Sequence, residues 1–143
     1  MPLPTLGPLK PFSRIGKEEG VNVIKALKLP LSGYIGGDHI GGYWTCSLER
    51  EWEEAMGVKH AIVCNSATSG LMAAYSACGL SNPDTIWCPV YTMSATAGAA
   101  AFMNINIEYI DIEDMRFGLD IKQIGRHRPE AVVVTNLFGH PAH

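Results

Sequence analysis

Apolar positions along the chain follow two rhythms, helical spacing and short unbroken runs of the kind that make buried strands. Over 17–29, Val21, Ile24 and Leu27 recur at helical spacing until Pro30 stops the pattern. Over 45–56, Leu48, Trp52, Ala55 and Met56 form one stripe, with Glu49, Arg50, Glu53 and Glu54 outside it, and Gly57 ends the helix. Residues 60–64, HAIVC, read as a short buried strand. The next helix carries Leu71, Met72, Tyr75 and Cys78 on one face and closes at Gly79. A strand over 85–88 is stopped by Pro89, an alanine-rich helix covers 93–102, and a strand over 105–110 ends at Asp111. A short helical turn over 121–125 and a strand over 131–135 complete the series.

Strands alternating with helices imply an α/β fold, a mostly parallel sheet flanked by helices. In such sheets ligands bind at the carboxyl ends of the strands. The segments 65–70, 89–93, 111–114 and 136–140 are expected to converge there. Two stretches fit no element. The first dozen residues carry four prolines and read as an extended arm, and 31–44 hold five glycines.

Composition narrows the possibilities. The chain has 143 residues, 47% hydrophobic and 17% charged, with a net charge of −3. That is globular, and with Arg126-His127-Arg128 as the one basic cluster it argues against nucleic acid. No run approaches the roughly 18 apolar residues that cross a bilayer, and from the pattern of its first residues no secretory signal is expected. Cys46, Cys64, Cys78 and Cys88 lack metal-site spacing and read as reduced core residues of a cytoplasmic protein.

The stretch CNSATSGL, 64–71, places small hydroxyl residues where a strand hands over to a helix. The first N–H groups of a helix lack partners and carry about half a positive charge. Ser66 or Thr68 as a plain helix cap is one explanation, and a seat for a phosphate is the other. The stretch alone leaves both open.

The order of three stretches goes further. SGYIGGDHIGGYWTCSLEREWEEAMGVKHAIVCNSATSGL, then PVYTMSATAGAAAFMNINIEYIDIED, then AVVVTNLFGHPA together resemble the amino-terminal part of DegT/DnrJ/EryC1/StrS sugar-nucleotide aminotransferases. The resemblance implies part of the large domain of a fold-type-I enzyme that uses pyridoxal 5'-phosphate (PLP). It divides the chain into an arm and first helix, 1–30, and an incomplete PLP-binding domain, 31–143. It implies that Ser66, Ala67 and Thr68 hold the cofactor phosphate, Ala67 standing where the family has glycine. It places Met93 where an aromatic residue commonly lies against the pyridine ring, with Tyr91 as a substitute or a core residue. Asn136 stands where a histidine is frequent, and the resemblance implies that it lines the cofactor pocket. Asp111 is expected to be structural and His140 solvated.

The implied activity moves an amino group from an amino acid, glutamate foremost, to a keto-sugar nucleotide. PLP chemistry calls for a lysine that bonds the cofactor and a carboxylate on the pyridine nitrogen. Lys10, Lys17, Lys25, Lys28, Lys59 and Lys122 are none of them placed to serve, so no catalytic residue is assigned. The chain is expected to be an amino-terminal fragment with little activity of its own and to form a homo-oligomer over its exposed sheet edge. A sugar dehydratase of the same family and a non-catalytic α/β module are the other readings.

Overall fold

The computed structural model describes residues 15–29, 41–123 and 128–143. The expectations for the proline-rich arm, Lys10, Pro30, most of the glycine-rich stretch and 124–127 lie outside these residues. The chain divides into two compact units, Met1–Val63 and Cys64–His143.

In the first unit, α1 (Lys17–Ala26) begins at Gly16, whose N–H donates to the Glu19 carboxylate at 2.7 Å. Its stripe of Val21, Ile24 and Leu27 is exposed. Helix α2 (Tyr43–Met56) ends at Gly57, which is left-handed with φ 65° and donates to the Glu53 carbonyl. A Cβ at this position would be strained, which explains the stop. The stripe of Leu48, Trp52 and Met56 is also exposed.

The strand expected over 60–64 is not formed. The Ala61 N–H donates to the Glu53 carboxylate at 3.0 Å and the Val63 N–H to that of Glu49 at 2.9 Å. Side chains of α2 thus take the alternate N–H groups that a neighbouring strand would have used. Ile62 between them is 82% exposed, so the segment is unburied.

The second unit holds α3 (Ala67–Ala77), β1 (Thr85–Pro89), α4 (Ser94–Phe102), β2 (Asn106–Ile110) and β3 (Ala131–Val132). Its strands form a parallel sheet in the order β2-β1-β3, with Ile86 opposite both Ile107 and Ala131. Residues that pair in register share a face. Ile86 and Cys88 therefore point one way, and Trp87 and Pro89 the other.

Helices α3 and α4 cover the first face. Tyr75, Leu80, Ile86, Ala99, Ala100 and Ile105 form the core there, with Leu71, Met72 and Ile107 around them. Ile86, Ala99 and Ala100 are wholly buried. Alanine at both helix positions lets α4 approach the sheet closely. On the other face Trp87 is buried, and its indole N–H donates to Glu108 at 2.8 Å. Of the four cysteines only Cys88 is buried; Cys64 and Cys78 are exposed, against the expectation that all belong to the core.

The last strand is shorter than the apolar run 131–135. Pro89 has no N–H to give, and the Val90 N–H turns to the Ile110 carbonyl at 3.0 Å, on the β2 side. The β3 ladder therefore closes with the Val133 N–H on the Trp87 carbonyl at 2.9 Å.

Overfilling the core beneath α4 tests this arrangement. Ala100→Leu should cost about 1–3 kcal/mol in urea unfolding. Ala101→Leu, one residue on and exposed, should stay within about 0.5 kcal/mol of the wild type.

Candidate functional site

Where the ladders stop, side chains take over. The Thr92 hydroxyl lies 3.0 Å from that of Thr96 in α4 and 3.0 Å from that of Thr135 beyond β3. Thr96 is buried, and its carbonyl accepts from the Tyr75 hydroxyl of α3 at 3.0 Å. One chain of polar contacts thus joins α3, α4 and the carboxyl ends of β1 and β3. Burial raises the Tyr75 phenol above its ordinary value, and neighbouring Cys88 adds to the effect. Burial likewise raises the Cys88 thiol, so it stays protonated and unreactive at neutral pH.

Three aromatic rings close the same end. Tyr91 follows β1, Phe117 follows β2 and Phe138 follows β3. Their centroids are 6.5 Å (Tyr91–Phe117), 6.3 Å (Tyr91–Phe138) and 6.3 Å (Phe117–Phe138) apart, all edge to face. Phe117 has φ 59° and Phe138 φ 53°, left-handed values that cost a non-glycine residue about 1–2 kcal/mol each. Glycine follows both. A Cβ on Gly118 would meet that of Ala142 at 3.1 Å, so the β2 loop lies tight against the segment beyond β3. Tyr91 is therefore a member of this cluster.

Glu113 organises the β2 loop. Its carboxylate accepts N–H groups from Met115 and Arg116 at 2.7 Å and from Gly118 at 3.3 Å. Burial pushes its value up, but these three donors and the charge of His143 outweigh it and hold it below the ordinary glutamate range. Asp111 accepts the next N–H, that of Ile112, at 2.8 Å, a turn role.

The sequence-predicted residues fall as follows. Ser66 caps α3, its hydroxyl accepting from the Ser69 N–H at 3.1 Å. Ala67 is the first helical residue and is not left-handed, so its side chain causes no strain where the family has glycine. Thr68 is half-buried, and among the described residues its hydroxyl and the Ala67 and Thr68 N–H groups have no hydrogen-bond partner.

Met93 precedes α4 and is 75% exposed. With Ala97, Gly98, Ala101 and Tyr109 it lines an open cleft of about 400 Å³. Asn136 uses Oδ1 to accept the Ala142 N–H at 3.0 Å, which leaves its amide N–H₂ free among the described residues. His140 is exposed. The Thr92–Thr135 bond ties the segments of Met93 and Asn136 together; among the described residues no side-chain bond ties Ser66 or Thr68 to either. A second cleft, of about 360 Å³, lies among Leu48, Trp52, Val58 and Ile62 of the first unit and contains none of these residues.

Sequence reasoning missed Phe117 and Phe138. The signal available was a repeated Phe-Gly pair, 117–118 and 138–139, after two successive strands.

The geometry can be set beside known proteins. Residues 35–143 match the DegT/DnrJ/EryC1/StrS aminotransferase family. Over 74 residues, 52% of this chain and 19% of the relative, it is 47% identical to UDP-4-amino-4,6-dideoxy-N-acetyl-beta-L-altrosamine transaminase of Campylobacter jejuni. Two solved structures share the fold. A putative sugar aminotransferase of Streptococcus pneumoniae in its PLP form has a TM-score of 0.66 at 22% identity, over 78% of this chain and 27% of that one. GDP-4-keto-6-deoxy-D-mannose-3-dehydratase of E. coli with bound hydrated PLP has 0.71 at 17% identity, over 90% and 33%. The chain thus spans between 19% and 33% of the length of these relatives.

Two outcomes follow for the strand-end network. Thr92→Val keeps the shape but strands the hydroxyls of Thr96 and Thr135; it should lower stability by about 1–3 kcal/mol in thermal unfolding, with Thr92→Ser recovering most of the loss. For Glu113, a depressed folded value means its contribution is present above the ordinary glutamate range and disappears on acidification through the folded value. Glu113→Gln should therefore be less stable than wild type near pH 7, and the gap should narrow on acidification below the ordinary glutamate range.

Proposed function

The chain belongs to the DegT/DnrJ/EryC1/StrS aminotransferase family, and from that membership we propose that it forms the phosphate-holding part of a PLP enzyme. That enzyme moves an amino group from an amino acid, glutamate in this reading, to a keto-sugar nucleotide. The observation that carries the reading is the free donor set at the start of α3, on the residues that match the family's phosphate motif.

The two explanations of that stretch divide between residues. Ser66 is spent on the cap, whereas Thr68 keeps its hydroxyl and the first two N–H groups stay available. Donors without a nearby acidic acceptor suit a phosphate and not a cation. In this reading Ala67 and Thr68 donate to the phosphate, Met93 lies against a ring face through its polarisable sulfur, and the Asn136 amide donates at the ring's edge. PLP, when bound, supplies the electron sink for the bonds that change at the donor and the sugar.

The lysine and the pyridine-nitrogen carboxylate are assigned to the length of the relatives that this chain does not span. A homo-oligomer, a cytoplasmic setting and the division at residues 30 and 31 belong to the same proposal. The likeness to a dehydratase supports a second reading, in which the same cradle serves loss of water from a keto-sugar nucleotide.

Calorimetric titration with inorganic phosphate and with PLP tests the cradle. The wild type should bind both saturably, and Thr68→Ala should weaken both about tenfold with little change in stability. Ser66→Ala should instead lower stability by about 1 kcal/mol. A folded wild-type chain that binds neither compound would sink the proposal.

A further inference from the structure

We propose that Tyr91, Phe117 and Phe138 are positioning residues, a ring clamp that sets the spacing between Met93 and Asn136. The clamp rests on the cofactor reading for its purpose, but its geometry stands independently. Tyr91 lies two residues before Met93, and Phe138 two residues after Asn136. The Tyr91–Phe138 contact and the Thr92–Thr135 hydrogen bond are two separate ties between the β1 and β3 ends. Two ties on adjacent residues fix orientation as well as distance, which a single hydrogen bond does not.

The third ring, Phe117, brings in the β2 loop from the far side of β1, and Gly118 against Ala142 holds that loop to the segment after Asn136. Both phenylalanines carry left-handed backbone, and Phe138 is 72% exposed. Burial in the core therefore does not explain the strain at Phe138. Strain kept where the surroundings enforce it marks a geometry being held for use. The clamp would hold the ring-facing pair at a set separation while α3 holds the phosphate independently.

Labelled methionine methyl and asparagine amide NMR on the whole chain reads the clamp without any ligand. Phe138→Leu should shift the Met93 methyl and Asn136 amide signals together and leave the Ser66–Ser69 backbone signals in place. Phe138→Tyr, which keeps the ring, should restore both. In titrations Phe138→Leu should weaken PLP about tenfold and leave inorganic phosphate unchanged. Should Phe138→Leu fail to fold, Phe138→Gly removes the ring and relieves the backbone, with the same shifts expected.

Unmoved Met93 and Asn136 signals in a ring-less variant would overturn the clamp, as would equal weakening of PLP and phosphate. A wild type that binds neither compound would remove the cofactor reading, and the NMR result would still decide the clamp.

Discussion

The hydroxyl of Thr92 carries the arrangement at the carboxyl end of the sheet. It stands where β1 can no longer pair: Pro89 has no N–H, and Val90 has given its own to Ile110. From there the Thr92–Thr135 hydroxyl contact is the hydrogen bond that continues the join between the β1 and β3 sides. The same oxygen reaches Thr96, and through the Thr96 carbonyl the Tyr75 phenol of α3. A half-buried hydroxyl can donate once and accept twice, so this one position serves two neighbours without leaving a polar atom stranded.

Above that junction the structure changes from paired backbone to ring contacts. Backbone ladders set strand spacing at a fixed value. Edge-to-face rings allow a range of separations, so they can hold segments whose backbones do not pair. The segment after β2 is ordered internally by Glu113, while the one after β3 is turned by Phe138 and Gly139. Rings can join two such unlike segments where a ladder cannot.

Much of this was legible in the sequence. Helical spacing and Gly57 placed α2, and the run before Pro89 placed β1, because local chemistry decides both. The parallel α/β arrangement followed from alternation. Residues 60–64 did not behave as their apolar pattern suggested, since a strand needs a partner backbone and the carboxylates of Glu49 and Glu53 answer its N–H groups instead. The truncation of β3 at Val132 depended on Pro89, more than forty residues away, a constraint invisible in the run itself. At the site, Ser66 and Thr68 were found together by type, but only geometry separated the spent hydroxyl from the free one. The rings of Phe117 and Phe138 come from loops without periodicity, where the repeated Phe-Gly pair was the one signal of them.

The two glutamates beneath 60–64 carry a consequence for the order of assembly. An extended segment in an unfolded chain must surrender its freedom before a neighbour can zip onto it, at about 1–2 kcal/mol for each residue fixed. Here Glu49 and Glu53 act as a splint. They hold the Ala61 and Val63 N–H groups to α2 without any strand beside the segment. Ordering this segment through its own helix closes a loop of only fifteen residues, a smaller entropic cost than an encounter between distant parts of the chain.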